Sequence, residues 1–265
     1  MTNTAVNTLN LLAIDIGNTR IKWGLFEANG VMLEHGDCLH SALSNLALPI
    51  ADRALIANVA GDAVKSALEV HLSAYSHVHY LKSTAQIAGV LNGYSQPETL
   101  GCDRWAALIA AWQIQQVPCL VVNAGTAATI DALTLNNGQG KFMGGLILPG
   151  LDLMQQSLGL ATALLPKITA ENAGVSTGQN AFATNTVDAI HTGALQAISG
   201  AITLMFYQLH AECKQLPHIL ISGGNAQAIK DSLINDLTKQ AIVVDHLVLR
   251  GLYFIDKSMQ SESAI

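Results

Sequence analysis

Two stretches of this chain share one plan, and they lie 108 residues apart. In "LLAIDIGNTRIKWGLF", residues 11–26, an apolar run ends on Asp15 and passes through Gly17, Asn18 and Thr19. It resumes with Ile21, Trp23 and Leu25 alternating with Arg20, Lys22 and Gly24. In "CLVVNAGTAATIDAL", residues 119–133, Asn123 falls on Asp15 and Gly125 on Gly17. A continuous apolar run reads as a buried strand and a period of two as a half-covered one, so each stretch is a hairpin whose turn carries the polar residues. Recurrence at this spacing implies an internal repeat of half the chain, and so domains at about 1–117 and 118–265.

The intervening sequence fits mixed α/β halves. "RALIANVA", residues 53–60, is a strand candidate, and the segment after it has helical spacing at Val64, Ala67, Leu68 and Leu72. "DRWAALIAAWQIQQ", residues 103–116, places Trp105, Leu108, Ile109 and Trp112 on one helical face, and Pro118 ends it. Residues 186–213 suggest helices, "HILISGG" at 218–224 a strand, and "AIVVDHLVLRGLYFI" a strand followed by a helix. The tail from Asp256 reads as loose. No Gly/Ser-rich or charged linker separates the halves, which suits close packing on a shared cleft.

Composition narrows the function. The 265 residues are 50% hydrophobic and only 12% charged, with a formal net charge of −6, so no basic stripe of the kind nucleic acid requires is present. Cys38, Cys102, Cys119 and Cys213 show no C-x-x-C spacing, which favours reduced thiols over zinc or disulfides. No uninterrupted apolar segment approaches the roughly 18 residues of a membrane span, and no basic leader precedes an apolar stretch. A cytoplasmic protein without nucleic-acid or membrane partners is expected.

A glycine turn between strands lets backbone N–H groups approach a phosphate, and Asp15 there suits a hydrated magnesium ion. Either turn alone also fits an ordinary hairpin with local side-chain hydrogen bonds. No G-x-x-x-x-G-K-[ST] or G-x-S-x-G element occurs. In "NGYSQPETLGCDRW", residues 92–105, Asp103 and Arg104 stand at a helix start that favours anions and could anchor a substrate carboxylate. Asp103 also fits a plain helix-start residue and Arg104 a surface partner, and Tyr94 and Trp105 read equally as core aromatics.

Together these stretches resemble the type III pantothenate kinase family. "DIGNTRIK" at 15–22 is similar to its first phosphate motif, "GCDR" at 101–104 to its substrate motif and "NAGTAATID" at 123–131 to its second phosphate motif. "GGLILPG" at 144–150, "NTVDAIHTG" at 185–193 and "ISGGNA" at 221–226 follow in order. The resemblance implies the actin/sugar-kinase/Hsp70-like α/β fold, with two tandem ribonuclease-H-like domains facing a nucleotide cleft. It also implies transfer of the γ-phosphoryl of ATP to the primary hydroxyl of pantothenate, the first step towards coenzyme A.

By the same resemblance, Asp15, Ile16, Gly17, Asn18, Thr19, Arg20, Ile21, Lys22 and Thr126 contact ATP. Tyr94, Gly101, Cys102, Asp103 and Arg104 contact pantothenate, and Thr186 does so from or against the neighbouring subunit of a homodimer. Asp103 is the proton acceptor, working near its ordinary pKa because the proton departs late in a loose transition state. The family commonly has Asp where this chain has Asn123, and that carboxylate helps hold a monovalent cation, potassium or ammonium. With Asn123 one negative charge is lost, so weaker cation dependence is expected. The resemblance leaves open an accessory role in transcriptional regulation of virulence genes, and another kinase or phosphatase of the same superfold.

Overall fold

The structure, a computed structural model, describes residues 10–73, 75–161 and 182–263. These form two compact units, one running to Ile114 and resuming at Leu247, the other spanning Gln115–His246.

The first unit opens with β1 (Leu11–Ile16), β2 (Arg20–Phe26), β3 (Met32–Leu39), β4 (Arg53–Asn58) and β5 (His77–Tyr80). They form a sheet in the order β3-β2-β1-β4-β5. β1, β2 and β3 run antiparallel, whereas β4 and β5 run parallel to β1. α1 (Asp62–Glu69) follows β4. The short hairpin of β6 (Gln86–Ile87) and β7 (Val90–Leu91) then leads to α2 (Cys102–Gln115).

The second unit repeats this plan with β8 (Cys119–Ala124), β9 (Ala127–Asn136), β10 (Gln139–Pro149), α3 (Leu151–Ala161), α4 (Thr186–Cys213), β11 (His218–Ser222), α5 (Ala226–Ser232), α6 (Asn235–Thr238) and β12 (Ala241–Val243). Its strands run β12-β11-β8-β9-β10. β8 and β9 are antiparallel, as are β9 and β10, while β11 and β12 run parallel to β8. Each unit thus has three antiparallel strands continued by two parallel ones. α7 (Leu247–Ser263) closes the chain and belongs to the first unit.

Both sheets bury alternate side chains on a helix-covered face. In the first unit Leu12, Ile14, Ile16, Ile21, Trp23 and Ile56 share a core with Leu68 of α1. In the second, Leu120, Val122, Ile130, Ile219 and Ile221 share one with Leu195, Ile198, Ile202 and Phe206 of α4. α4 is long and apolar enough by length and composition to cross a membrane, yet this face makes it the core helix of its unit.

Several expectations change. The division into 1–117 and 118–265 differs from the observed units, because α7 packs with the first: Tyr253 stacks on Phe26 at 5.4 Å and donates to the Ala28 carbonyl at 2.9 Å. That packing also covers the far end of β2, where Gly24 and Phe26 are buried on the face expected to be open. The stretch expected to be loose is helical through Ser263, and Asp256 within it accepts from Arg53 Nε and Nη2 at 2.8–2.9 Å. α2 is buried nearly all round from Cys102 to Trp112 instead of on one face. It ends at Gln115, where Gln116 takes a left-handed φ of 49°, before Pro118 is reached. Residues 186–213 are one 28-residue helix.

Candidate active site

Sequence order separates Asp15 from Asp103, but the first sheet brings them together. β1 and β4 are adjacent and parallel, so Ile16 and Asn58 end side by side, and the Val59 N–H donates to the Ile16 carbonyl at 3.0 Å. The carboxyl ends of parallel strands are where α/β sheets place ligands. The N-terminus of α2 docks there: the Cys102 thiol donates to the Asn58 carbonyl at 3.5 Å, and Ser83 Oγ donates to the Leu100 carbonyl at 2.8 Å.

At that helix start the Arg104 N–H donates to Asp103 Oδ1 at 2.8 Å. A Cβ on Gly101 would lie 2.7 Å from the same oxygen, so only glycine leaves the carboxylate its place. Burial raises the Asp103 pKa, partly offset by the Arg104 N–H and guanidinium, which corrects the expectation of an ordinary value. The buried Arg104 donates from Nη1 to the Tyr94 hydroxyl at 3.1 Å, its guanidinium carbon 5.8 Å from the ring centre. Tyr94 is therefore a partner of Arg104, and Trp105, fully buried, is a core aromatic.

Asp15 pairs in register with Lys22, and Lys22 with Asp37 of β3, so charges of alternating sign cross three strands. Arg20 also binds the Asp37 carboxylate, in an exposed pair. Asp15 Oδ1 is buried with no hydrogen-bond partner among the described residues. Burial first, then the charge of Asp103, pushes its pKa up to about 7 against the opposing pull of Lys22. An orphaned carboxylate oxygen beside a second carboxylate fits a hydrated divalent cation. Among the described residues no group of three or more His, Cys, Asp or Glu forms a protein-only metal cage.

The first turn itself is closed by the Gly17 N–H, which donates to the Arg20 carbonyl at 3.1 Å. Asn18, Thr19 and Arg20 are exposed, whereas Ile16 and Ile21 are fully buried and contribute packing.

The second turn is closed in the same way and is packed against further backbone. The Gly125 N–H donates to the Ala127 carbonyl at 3.2 Å, and the Gly150 N–H, just before α3, donates to the Thr126 carbonyl at 2.9 Å. A Cβ on Gly150 would lie 2.0 Å from the Gly125 carbonyl oxygen, and one on Gly223 2.5 Å from that of Ala124. Asn123 pairs in register with Thr129 and Ser222, both neutral, and Thr129 Oγ1 is buried with no partner among the described residues. Thr186 is the exposed first residue of α4, capped by Asn185, whose side chain accepts from the Asp188 N–H at 2.9 Å.

Sequence reasoning missed Asn58 and Asp37, which carry no motif and reach the site through strand register, and Ser83, which reaches it from the connection after β5 through the Leu100 carbonyl. Gly150 and Gly223 stood inside quoted motifs without a role. The Cys102 thiol, raised to about 11 chiefly by burial, is a donor to Asn58 and no nucleophile.

Two sheets of this shared strand order, each with a polar glycine turn after its first strand, define the actin/sugar-kinase/Hsp70-like ATPase fold. Solved structures agree on the fold: a Campylobacter jejuni protein assigned to the Baf family of transcriptional activators has a TM-score of 0.59 at 21% identity, covering 96% of this chain and 100% of its own. The activator of 2-hydroxyisocaproyl-CoA dehydratase from Clostridium difficile, with bound ADPNP, has a TM-score of 0.51 at 13% identity, covering 97% and 98%. The family model for type III pantothenate kinase matches residues 11–208. Type III pantothenate kinases of Methylobacillus flagellatus and Nitrosomonas eutropha are 39% and 41% identical, over 94% of this chain and 98% and 95% of theirs. The chain belongs to the type III pantothenate kinase family. It is a kinase that uses ATP to phosphorylate pantothenate in coenzyme A biosynthesis.

Proposed function

We propose that Asp103 accepts the proton of the pantothenate hydroxyl as it attacks the γ-phosphoryl of ATP. The observation that carries this reading is the Asp103 carboxylate, fixed by the Arg104 N–H above a glycine and desolvated enough to raise its basicity. Arg104, steadied by Tyr94, suits a bidentate contact to the pantothenate carboxylate. Residues 15–22 and Thr126 bind the ATP phosphates, with Asp15 holding the magnesium ion that neutralises charge on them. In phosphoryl transfer the protein chiefly positions and stabilises charge, so these residues need do little else.

The active form is a cytoplasmic homodimer in which Thr186 of one subunit borders the pantothenate of the other. Support for association comes from apolar side chains left exposed on the second unit: Ile147 on β10, Leu158 on α3, and Leu204 and Tyr207 on α4. A formal charge of −6 and four free cysteines suit that compartment. The neutral register partners of Asn123, Thr129 and Ser222, support weak dependence on potassium or ammonium. The regulatory reading gains no support from the Campylobacter likeness, which at 21% identity shows the fold alone.

The test is the purified protein with ATP, magnesium and pantothenate, following ADP release and product mass together. Equal rates of ADP and phosphopantothenate formation are expected, and ADP without phosphopantothenate removes the substrate assignment. Sedimentation alongside the assay tests assembly: activity is lost as dimers dissociate, and a fully active monomer ends the role of Thr186 across subunits.

A further inference from the structure

His40 holds the first turn from outside every motif. It opens a short 3-10 helix, His40–Asn45, directly after the edge strand β3, and the pairing of Arg20 with Leu39 brings it beside the turn. His40 Nε2 stands 2.9 Å from the Gly17 carbonyl oxygen, and the His40 backbone N–H donates to the Thr19 carbonyl at 3.4 Å. A carbonyl only accepts, so Nε2 carries the hydrogen. One residue thereby restrains two carbonyls of a turn whose Gly17, lacking a Cβ, has little steric preference of its own.

Peptide geometry gives that restraint a direction. In a planar trans peptide the C=O and the following N–H point to opposite sides. Drawing the Gly17 carbonyl towards His40 therefore turns the Asn18 N–H away from β3 and the 3-10 helix, at the exposed side of the turn. Without the imidazole, the Gly17 carbonyl loses this restraint and the Asn18 N–H is no longer held to one direction.

We propose that His40 is a positioning residue for nucleotide binding, which orients the Gly17–Asn18 peptide so that its N–H is preset for a phosphate oxygen. This rests on the assignment of residues 15–22 to ATP. Pre-organisation of this kind affects affinity for nucleotide and leaves the pantothenate end alone, since His40 bonds to Gly17 and Thr19 and, among the described residues, not to Gly101–Arg104.

The experiment measures affinity for ADP with magnesium by calorimetry, and the KM for ATP and pantothenate, in the full-length protein. The variants are His40→Ala, His40→Phe and His40→Gln, with Lys22→Met as a reference in the same stretch. His40→Ala and His40→Phe should bind ADP about tenfold more weakly, near 1.4 kcal/mol, with the pantothenate KM unchanged. His40→Gln, whose amide N–H reaches a similar point, should recover most of the loss. The Phe variant keeps the ring volume, so it separates the hydrogen bond from packing even where the Ala variant folds poorly. Normal ADP binding in the Ala and Phe variants, with loss in Lys22→Met, overturns the role of His40 and leaves the phosphate assignment standing. Normal binding in all four overturns both. A Gln variant as weak as Phe, or a pantothenate KM that rises in step, also overturns the proposal.

Discussion

The two polar turns follow equivalent strands of two sheets with the same strand order, and each is closed by its own glycine N–H, yet their surroundings differ. The first is surrounded by charge, with Asp15, Lys22 and Asp37 in register across three strands and Arg20 bound to Asp37. The second is surrounded by backbone, with the Gly150 N–H on the Thr126 carbonyl and Gly223 close against Ala124. A turn bordered by charge responds to pH, ions and side-chain substitution. A turn held by close-packed glycines responds to shape, and fails when a methyl group is added.

The hardest test of this contrast removes the chemistry from the charged side. Asp103→Asn should lower kcat roughly 10²–10⁴-fold while ATP affinity holds, and near-normal turnover strikes Asp103 from the role of base. On the glycine side, Gly150→Ala should cost about 3 kcal/mol or more of stability in denaturant melts, because the new Cβ meets carbonyl oxygens at 2.0 and 2.7 Å. Gly125→Ala, whose Cβ would stand 3.6 Å from its nearest neighbour, should leave stability within about 1 kcal/mol and is the control.

Asp15 provides a pH test. Its carboxyl binds a proton more tightly folded, at about 7, than unfolded, at 3.8. The ligand-free protein therefore has this group's full stability below pH 4 and loses it as pH rises through 7, on the order of 4 kcal/mol in all. Asp15→Asn should melt several degrees above the parent at pH 8 without ligand, near it at low pH, and lose activity. Equal melting at pH 8 removes the buried-charge account.

The smallest effect concerns the neutral side of the comparison. Asn123→Asp should make the initial rate more dependent on potassium at constant ionic strength, by roughly twofold to tenfold, because a carboxylate attracts a cation that an amide does not. A strict potassium requirement in the parent, unchanged by Asn123→Asp, places the cation elsewhere.

The repeat was legible because strands announce themselves by apolar pattern: the offset of 108 carries β1 onto β8 at both ends, Leu11 to Cys119 and Ile16 to Ala124. It breaks in the turn, which is one residue shorter before β9 than before β2. The motifs singled out Asp15, Asp103 and Arg104, which the fold gathers at one end of the first sheet. What sequence did not show is what depends on distant pairing. The orphaned oxygen of Asp15 and the raised pKa of Asp103 come from burial. The contact of Asn58 with Cys102 comes from β4 lying beside β1, and no local pattern encodes it. The all-round burial of α2 likewise exceeded what its stripe of large side chains suggested.

The return of α7 to the first unit has a consequence for synthesis on the ribosome. Arg53 waits for Asp256, and Phe26 for Tyr253, until the whole second unit has been translated. The second unit, contiguous in sequence, is complete in covalent terms before the first, so the half that begins the chain is the last to acquire all its partners. Until then the strand face that α7 covers is open to chaperones and to neighbouring nascent chains.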